Sequence, residues 1–83
     1  MKRLAWKPEK NEWLKAEREI SFEQIEAAID AGGFRGAYKY KGTKKIHANQ
    51  LVWIVEVDGE EWRVPVTITE TVIIARTAYQ VEE

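Results

Sequence analysis

The chain has 83 residues, enough for one domain with a modest core, and 45% of them are hydrophobic, including four Trp. Cysteine is absent, so a disulfide framework and a thiolate metal site are excluded, and the single His argues against a His-based one. The formal charge of −1 hides an asymmetry: Arg35, Lys39, Lys41, Lys44 and Lys45 cluster between Phe34 and His47 without an acid, while acids dominate from residue 48 onward. Such a basic stretch suits an anionic partner or a solvated loop. No apolar run approaches the roughly 18 residues of a membrane helix, and residues 1–20 lack a signal-like apolar segment, so a cytoplasmic protein is expected.

Met1–Trp6 reads as a short strand or an extended arm. Lys7-Pro8-Glu9 opens a first helix over about 8–18, with Pro in the first turn and Glu9 and Glu12 near the positive end of the helix dipole. Trp13, Leu14 and Ala16 give that helix a narrow apolar side. Ser21-Phe22-Glu23-Gln24 is a capping box, flanked by Ile20 and Ile25 in the positions of a hydrophobic staple. Phe22, Ile25, Ala28 and Ile29 continue at helical spacing, and Gly32-Gly33 ends the helix. Phe34–Lys41 favours strand, with Gly36 marking a bulge or a close backbone approach, and residues 42–49 form a loop.

Leu51–Thr67 organises the rest. Asp58-Gly59 between alternating apolar residues is a hairpin signal, because a type I′ turn needs positive φ at both central positions. Pairing Val57 with Glu60 sets Val55 opposite Trp62, Ile54 opposite Arg63, Trp53 opposite Val64 and Leu51 opposite Val66. One face then collects Leu51, Trp53, Val55, Val57, Trp62, Val64 and Val66, and needs a cover. Thr69-Glu70 turns the chain into Thr71–Tyr79. Pairing Ile68 with Thr71 sets Val64 opposite Ala75 and Arg63 opposite Arg76. The expectation is an α+β fold of residues 1–83 in which two N-terminal helices pack on one face of a four-stranded antiparallel β-sheet.

On the other face the paired Arg63 and Arg76 suggest a phosphate clamp, since guanidinium forks match phosphate oxygens bidentately. Glu56 and Glu61 share that face and could instead neutralise them. His47, a lone His with a free pKa of about 6.5, is a candidate base or acid. Tyr79 is a candidate proton carrier or stacking platform, and Lys39, Lys41, Lys44 and Lys45 are candidate contacts to an anionic partner.

Trp6-Lys7-Pro8-Glu9-Lys10-Asn11, then Leu14-Lys15, Glu17-Arg18 and Ile20-Ser21-Phe22-Glu23, resembles the N-terminal signature of BrnT-like toxins of type II toxin–antitoxin systems. The hairpin from Val55 through Val66 looks like the matching sheet. The likeness covers about the first 30 residues well and the hairpin loosely. It implies a RelE-like fold, ribonuclease activity without a metal or other cofactor, RNA as the anionic partner of Lys39, Lys41, Lys44 and Lys45, and neutralisation by a cognate antitoxin. The chain departs from the pattern after its last strand, where only Arg76 stands in place of an Arg- or Lys-rich ending. The resemblance therefore carries fold further than catalysis, and allows a divergent or inactive relative.

The expected function is a small RNA-cleaving toxin with Arg63, Arg76, His47 and Tyr79 as catalytic candidates. Its partners would be RNA and an antitoxin, with a homo-oligomer open and no membrane. The alternative is a non-enzymatic module that binds a protein through its sheet edge or its acidic C-terminal half.

Overall fold

The computed structural model describes residues 3–39 and 50–81, in the order β1 (Arg3–Ala5), α1 (Pro8–Arg18), α2 (Phe22–Asp30), β2 (Phe34–Lys39), β3 (Gln50–Val57), β4 (Glu60–Ile68) and β5 (Val72–Ala75). The fold is α+β. The sheet, however, has five strands in the order β1-β5-β4-β3-β2, and it is mixed rather than purely antiparallel. The added strand is β1, which runs parallel to β5 with Leu4 beside Ile73. No helix among the described residues is long and apolar enough to cross a membrane.

The β3–β4 hairpin has the register that its turn dictates. Asp58 and Gly59 both take positive φ, 51° and 82°, and all eight pairs from Val57↔Glu60 to Gln50↔Thr67 follow. Period-2 alternation then sends Val55, Val57, Trp62, Val64 and Val66 to one side, where all five are buried.

The helices close that side. Leu14, Ile20, Phe22 and Ile25 join the sheet residues, with Ala75 and Ala78, in one cluster. The capping box forms as its residues require: Gln24 N donates to Ser21 Oγ at 3.2 Å, and Ser21 N donates to Gln24 Oε1 at 2.9 Å. Both staple residues, Ile20 and Ile25, are buried. The helices do not share the work equally. In α1 only Asn11 and Leu14 are buried, so the apolar side expected from Trp13 and Ala16 is exposed. Trp13 instead lies against two cations, with Lys10 Nζ 4.1 Å and Arg18 Cζ 4.8 Å from its ring centroid.

Asn11 ties the helices together. Its Oδ1 accepts from Phe22 N at 2.8 Å, satisfying one of the N–H groups that the start of α2 leaves without an intrahelical partner. Its Nδ2 donates to Glu23 Oε1 at 2.7 Å. That hydrogen bond, with the backbone N–H of Glu23 itself, holds the Glu23 carboxyl below the usual carboxylate range. Asn11→Ala leaves a buried N–H unpaired and is expected to cost about 2 kcal/mol. Urea unfolding should show this as a lower midpoint with an unchanged slope.

The β4–β5 register differs from the sequence expectation by two residues. Val66 faces Ala75, Thr67 faces Ile74 and Ile68 faces Ile73. The cause is Thr69. Its Oγ1 accepts from Val72 N at 3.0 Å and Thr71 N at 3.3 Å, while its own N–H donates to Val72 O at 2.9 Å. The loop is therefore four residues long instead of two, a side-chain-stabilised turn of the kind Thr supports. A two-residue shift preserves face parity, so Ile73 and Ala75 still point to the core.

Candidate functional site on the open sheet face

The face opposite the helices carries Val52, Ile54, Glu61, Arg63, Pro65, Thr67, Ile74 and Arg76. It is not evenly exposed: Val52 and Thr67 are buried there.

The register shift separates the expected Arg63–Arg76 cross-strand pair. Arg76 N instead donates to Pro65 O at 2.8 Å, which places Arg76 beside Pro65. Beyond Arg76 one extra residue enters the strand. Arg63 then pairs with Tyr79 in an isolated antiparallel bridge, exchanging both backbone hydrogen bonds at 2.7 and 2.9 Å. The bulge puts Ala78 in the core with no exposure, and puts Tyr79 on the open face directly opposite Arg63. Three of the four catalytic candidates thus gather on one face, with Tyr79 where Arg76 was expected. His47 lies outside the described residues.

The two arginines are in different electrostatic states. Arg63, its side chain 20% exposed, is neutralised by Glu61, with Nη1 to Oε1 at 2.7 Å. Glu56 does not reach either; it pairs with Arg35 at 3.3 Å. Arg76 is exposed, and its Nε donates to Thr67 Oγ1 at 3.0 Å. No carboxylate among the described residues takes its guanidinium.

Arg76 borders a cleft of about 470 Å³ whose lining includes Gln50, Pro65, Thr67, Thr77 and Tyr79. Thr77 Oγ1 is buried there without a hydrogen-bond partner among the described residues.

The basic stretch contributes less to this face than its charge suggests. Among its lysines, Lys39 alone is described. The bulge at Gly36 (φ 150°) shifts the β2 register, so Lys39 stands opposite Leu51 on the helix side, and Tyr38 stands opposite Val52 on the open face. Lys41, Lys44 and Lys45 lie outside the described residues. Sequence reasoning missed Thr67 as the anchor of Arg76; the only available signal was a polar residue of β4 on the same face as a candidate Arg.

Compared with protein-family models, curated proteins and solved structures, the chain matches none. The family likeness rests on the residues named above.

Proposed function

We propose that this chain is a small RNA-cleaving toxin of a toxin–antitoxin pair, working without a metal and held in check by a cognate antitoxin. The observation that supports it is the juxtaposition of Tyr79 with Arg63 through two backbone hydrogen bonds, with Arg76 on the same face of the sheet. RNA can supply its own nucleophile. A base, Tyr79 or His47, takes the proton of a ribose 2′-hydroxyl as its oxygen attacks the adjacent phosphorus. The bond to the 5′-oxygen breaks, that oxygen is protonated, and a 2′,3′-cyclic phosphate remains. Arg63 and Arg76 face the charge that develops on the non-bridging oxygens, and removing one such donor in comparable anion holes costs about 3 kcal/mol.

Expression of the chain is expected to arrest growth and degrade RNA, and the purified protein to leave 2′,3′-cyclic ends in the presence of a chelator. The Arg63→Ala, Arg76→Ala double variant should lose at least about 100-fold in cleavage rate. Undiminished cleavage by that variant would remove this site from the mechanism.

One observation favours a second reading, a non-enzymatic interaction module. Strand β2 is the outer strand of the sheet and pairs only with β3 among the described residues, leaving an edge of the kind that β-augmentation uses. That reading requires an absence of RNA cleavage and partner binding that survives loss of both arginines.

A further inference from the structure

Arg76 is unlike Arg63 and Arg35, the described arginines of β4 and β2. Arg63 and Arg35 each meet a carboxylate, at 2.7 and 3.3 Å. Arg76 is held through Nε by the neutral hydroxyl of Thr67, itself only 8% exposed, and meets no carboxylate among the described residues. A hydroxyl fixes the direction of a guanidinium without cancelling its charge. The fork is thereby oriented, charged and open, the state in which Arg takes a phosphate through two parallel hydrogen bonds.

The space beside it has a matching form. The cleft of about 470 Å³ falls in the range of small-molecule sites. Pro65 gives it an apolar surface, Tyr79 an aromatic ring and Gln50 a side-chain amide at the start of β3. An aromatic ring and an apolar floor take the flat faces of a base, and an amide, being donor and acceptor at once, takes a base edge.

We infer that this cleft is a mononucleotide subsite, in which the Thr67-anchored Arg76 binds a phosphate and the Pro65–Tyr79 surface receives the attached base. The inference rests on the RNA-cleaving reading for its biological meaning: the cleft then holds one nucleotide of the substrate next to the Arg63–Tyr79 pair. It also divides the arginines by role. Arg76 is the phosphate anchor, and Thr67 is a positioning residue that acts through it.

The test is titration of the isotopically labelled chain with adenosine or uridine 5′-monophosphate, the matching nucleosides, and inorganic phosphate, followed by NMR. Either nucleotide is expected to shift the backbone signals of Thr67, Arg76 and Tyr79 together, and to bind more tightly than phosphate or nucleoside alone. Arg76→Lys keeps the charge but loses the fork and the bond to Thr67, and should weaken nucleotide binding by about 10-fold. Thr67→Val keeps Arg76 but frees it, and should weaken binding by about 3-fold while leaving the dispersed spectrum of a folded chain. Arg35→Lys, at an ion pair outside the cleft, should change nothing. Inorganic phosphate binding as tightly as the nucleotides would reduce the cleft to an anion site and overturn the base-binding half. An absence of shifts at Thr67, Arg76 and Tyr79 would overturn the whole. Nucleotide binding without RNA cleavage would end the nuclease reading and leave the subsite standing. Cleavage without these shifts would do the reverse.

Discussion

Phe22→Ala is expected to cost about 4 kcal/mol of folding stability. Phe22 has no exposed surface and stacks on Trp6, with ring centroids 5.5 Å apart and planes 26° from parallel. It is the first residue of α2, so its ring enters the core where the helix is fixed by the Ser21–Gln24 capping box and by Asn11. Those restraints keep the backbone from following a smaller side chain inward, so most of the cavity should persist, and the cost of a cavity scales with the volume left unfilled. Against a total stability of about 4–12 kcal/mol for a chain of this size, the loss takes a third or more. Thermal unfolding should begin roughly 15–30 °C lower. Phe22→Leu, which keeps most of the volume, should cost only about 1.5 kcal/mol. An Ala variant that melts within a few degrees of the parent would show that the site collapses, and would undercut the role assigned to Asn11 and the capping box.

How far the sequence reveals the fold depends on whether the deciding contact is local. The β3–β4 hairpin is legible in every pair, because Asp58-Gly59 fixes both turn type and register within two residues. The capping box and staple of α2 are legible for the same reason. The β4–β5 register is not. Pairings that start from Thr71 or from Ile73 keep the same faces, so hydrophobic alternation cannot choose between them. The choice falls to the Thr69 hydroxyl, whose bonds to the amides of Thr71 and Val72 lengthen the loop. The pairing of β1 with β5 joins residues about 70 positions apart through three residue pairs, and nothing local to Arg3–Ala5 announces it.

The site inherits both outcomes. Arg63 is where the hairpin puts it, opposite Ile54. Its partner depends on the less legible strand, and a two-residue shift followed by a one-residue bulge exchanges Arg76 for Tyr79. The competing reading, that acids quench both arginines, is met for one of them. Glu61 takes Arg63, while Glu56 is drawn to Arg35 because Arg35 sits in the β2 bulge alongside the end of β3. Charge counting along the chain could not have separated these cases, since it takes no account of which strand edge each side chain reaches.

Gly33→Ala is expected to be about as costly as the loss of Phe22, for the opposite physical reason. A Cβ at Gly33 would stand 2.6 Å from Glu56 O and 2.8 Å from Ala28 O. Both are backbone atoms, so no side chain can swing aside. The same residue donates its N–H to Ala28 O at 2.7 Å and accepts from Glu56 N at 2.8 Å, closing the end of α2 and fixing it to β3. Relieving the clash means moving helix and strand apart. Overpacking at about 3 kcal/mol, with one lost hydrogen bond at about 1 kcal/mol, gives a total of about 4 kcal/mol. Gly32 is the control. Its φ of 92° strains any other residue, yet a Cβ there meets nothing within 4 Å, so Gly32→Ala should cost only about 1–2 kcal/mol. Urea midpoints of the two variants should therefore differ clearly, with Gly33→Ala the lower. Equal midpoints would mean that backbone strain, and not the approach of α2 to β3, limits this corner. The damage should also respect the geometry of the molecule. Glu56 N lies on the helix-side corner where β2, β3 and α2 meet, whereas Arg76 and Tyr79 lie on the far side of β4. Whatever fraction of Gly33→Ala remains folded should bind mononucleotides as the parent chain does.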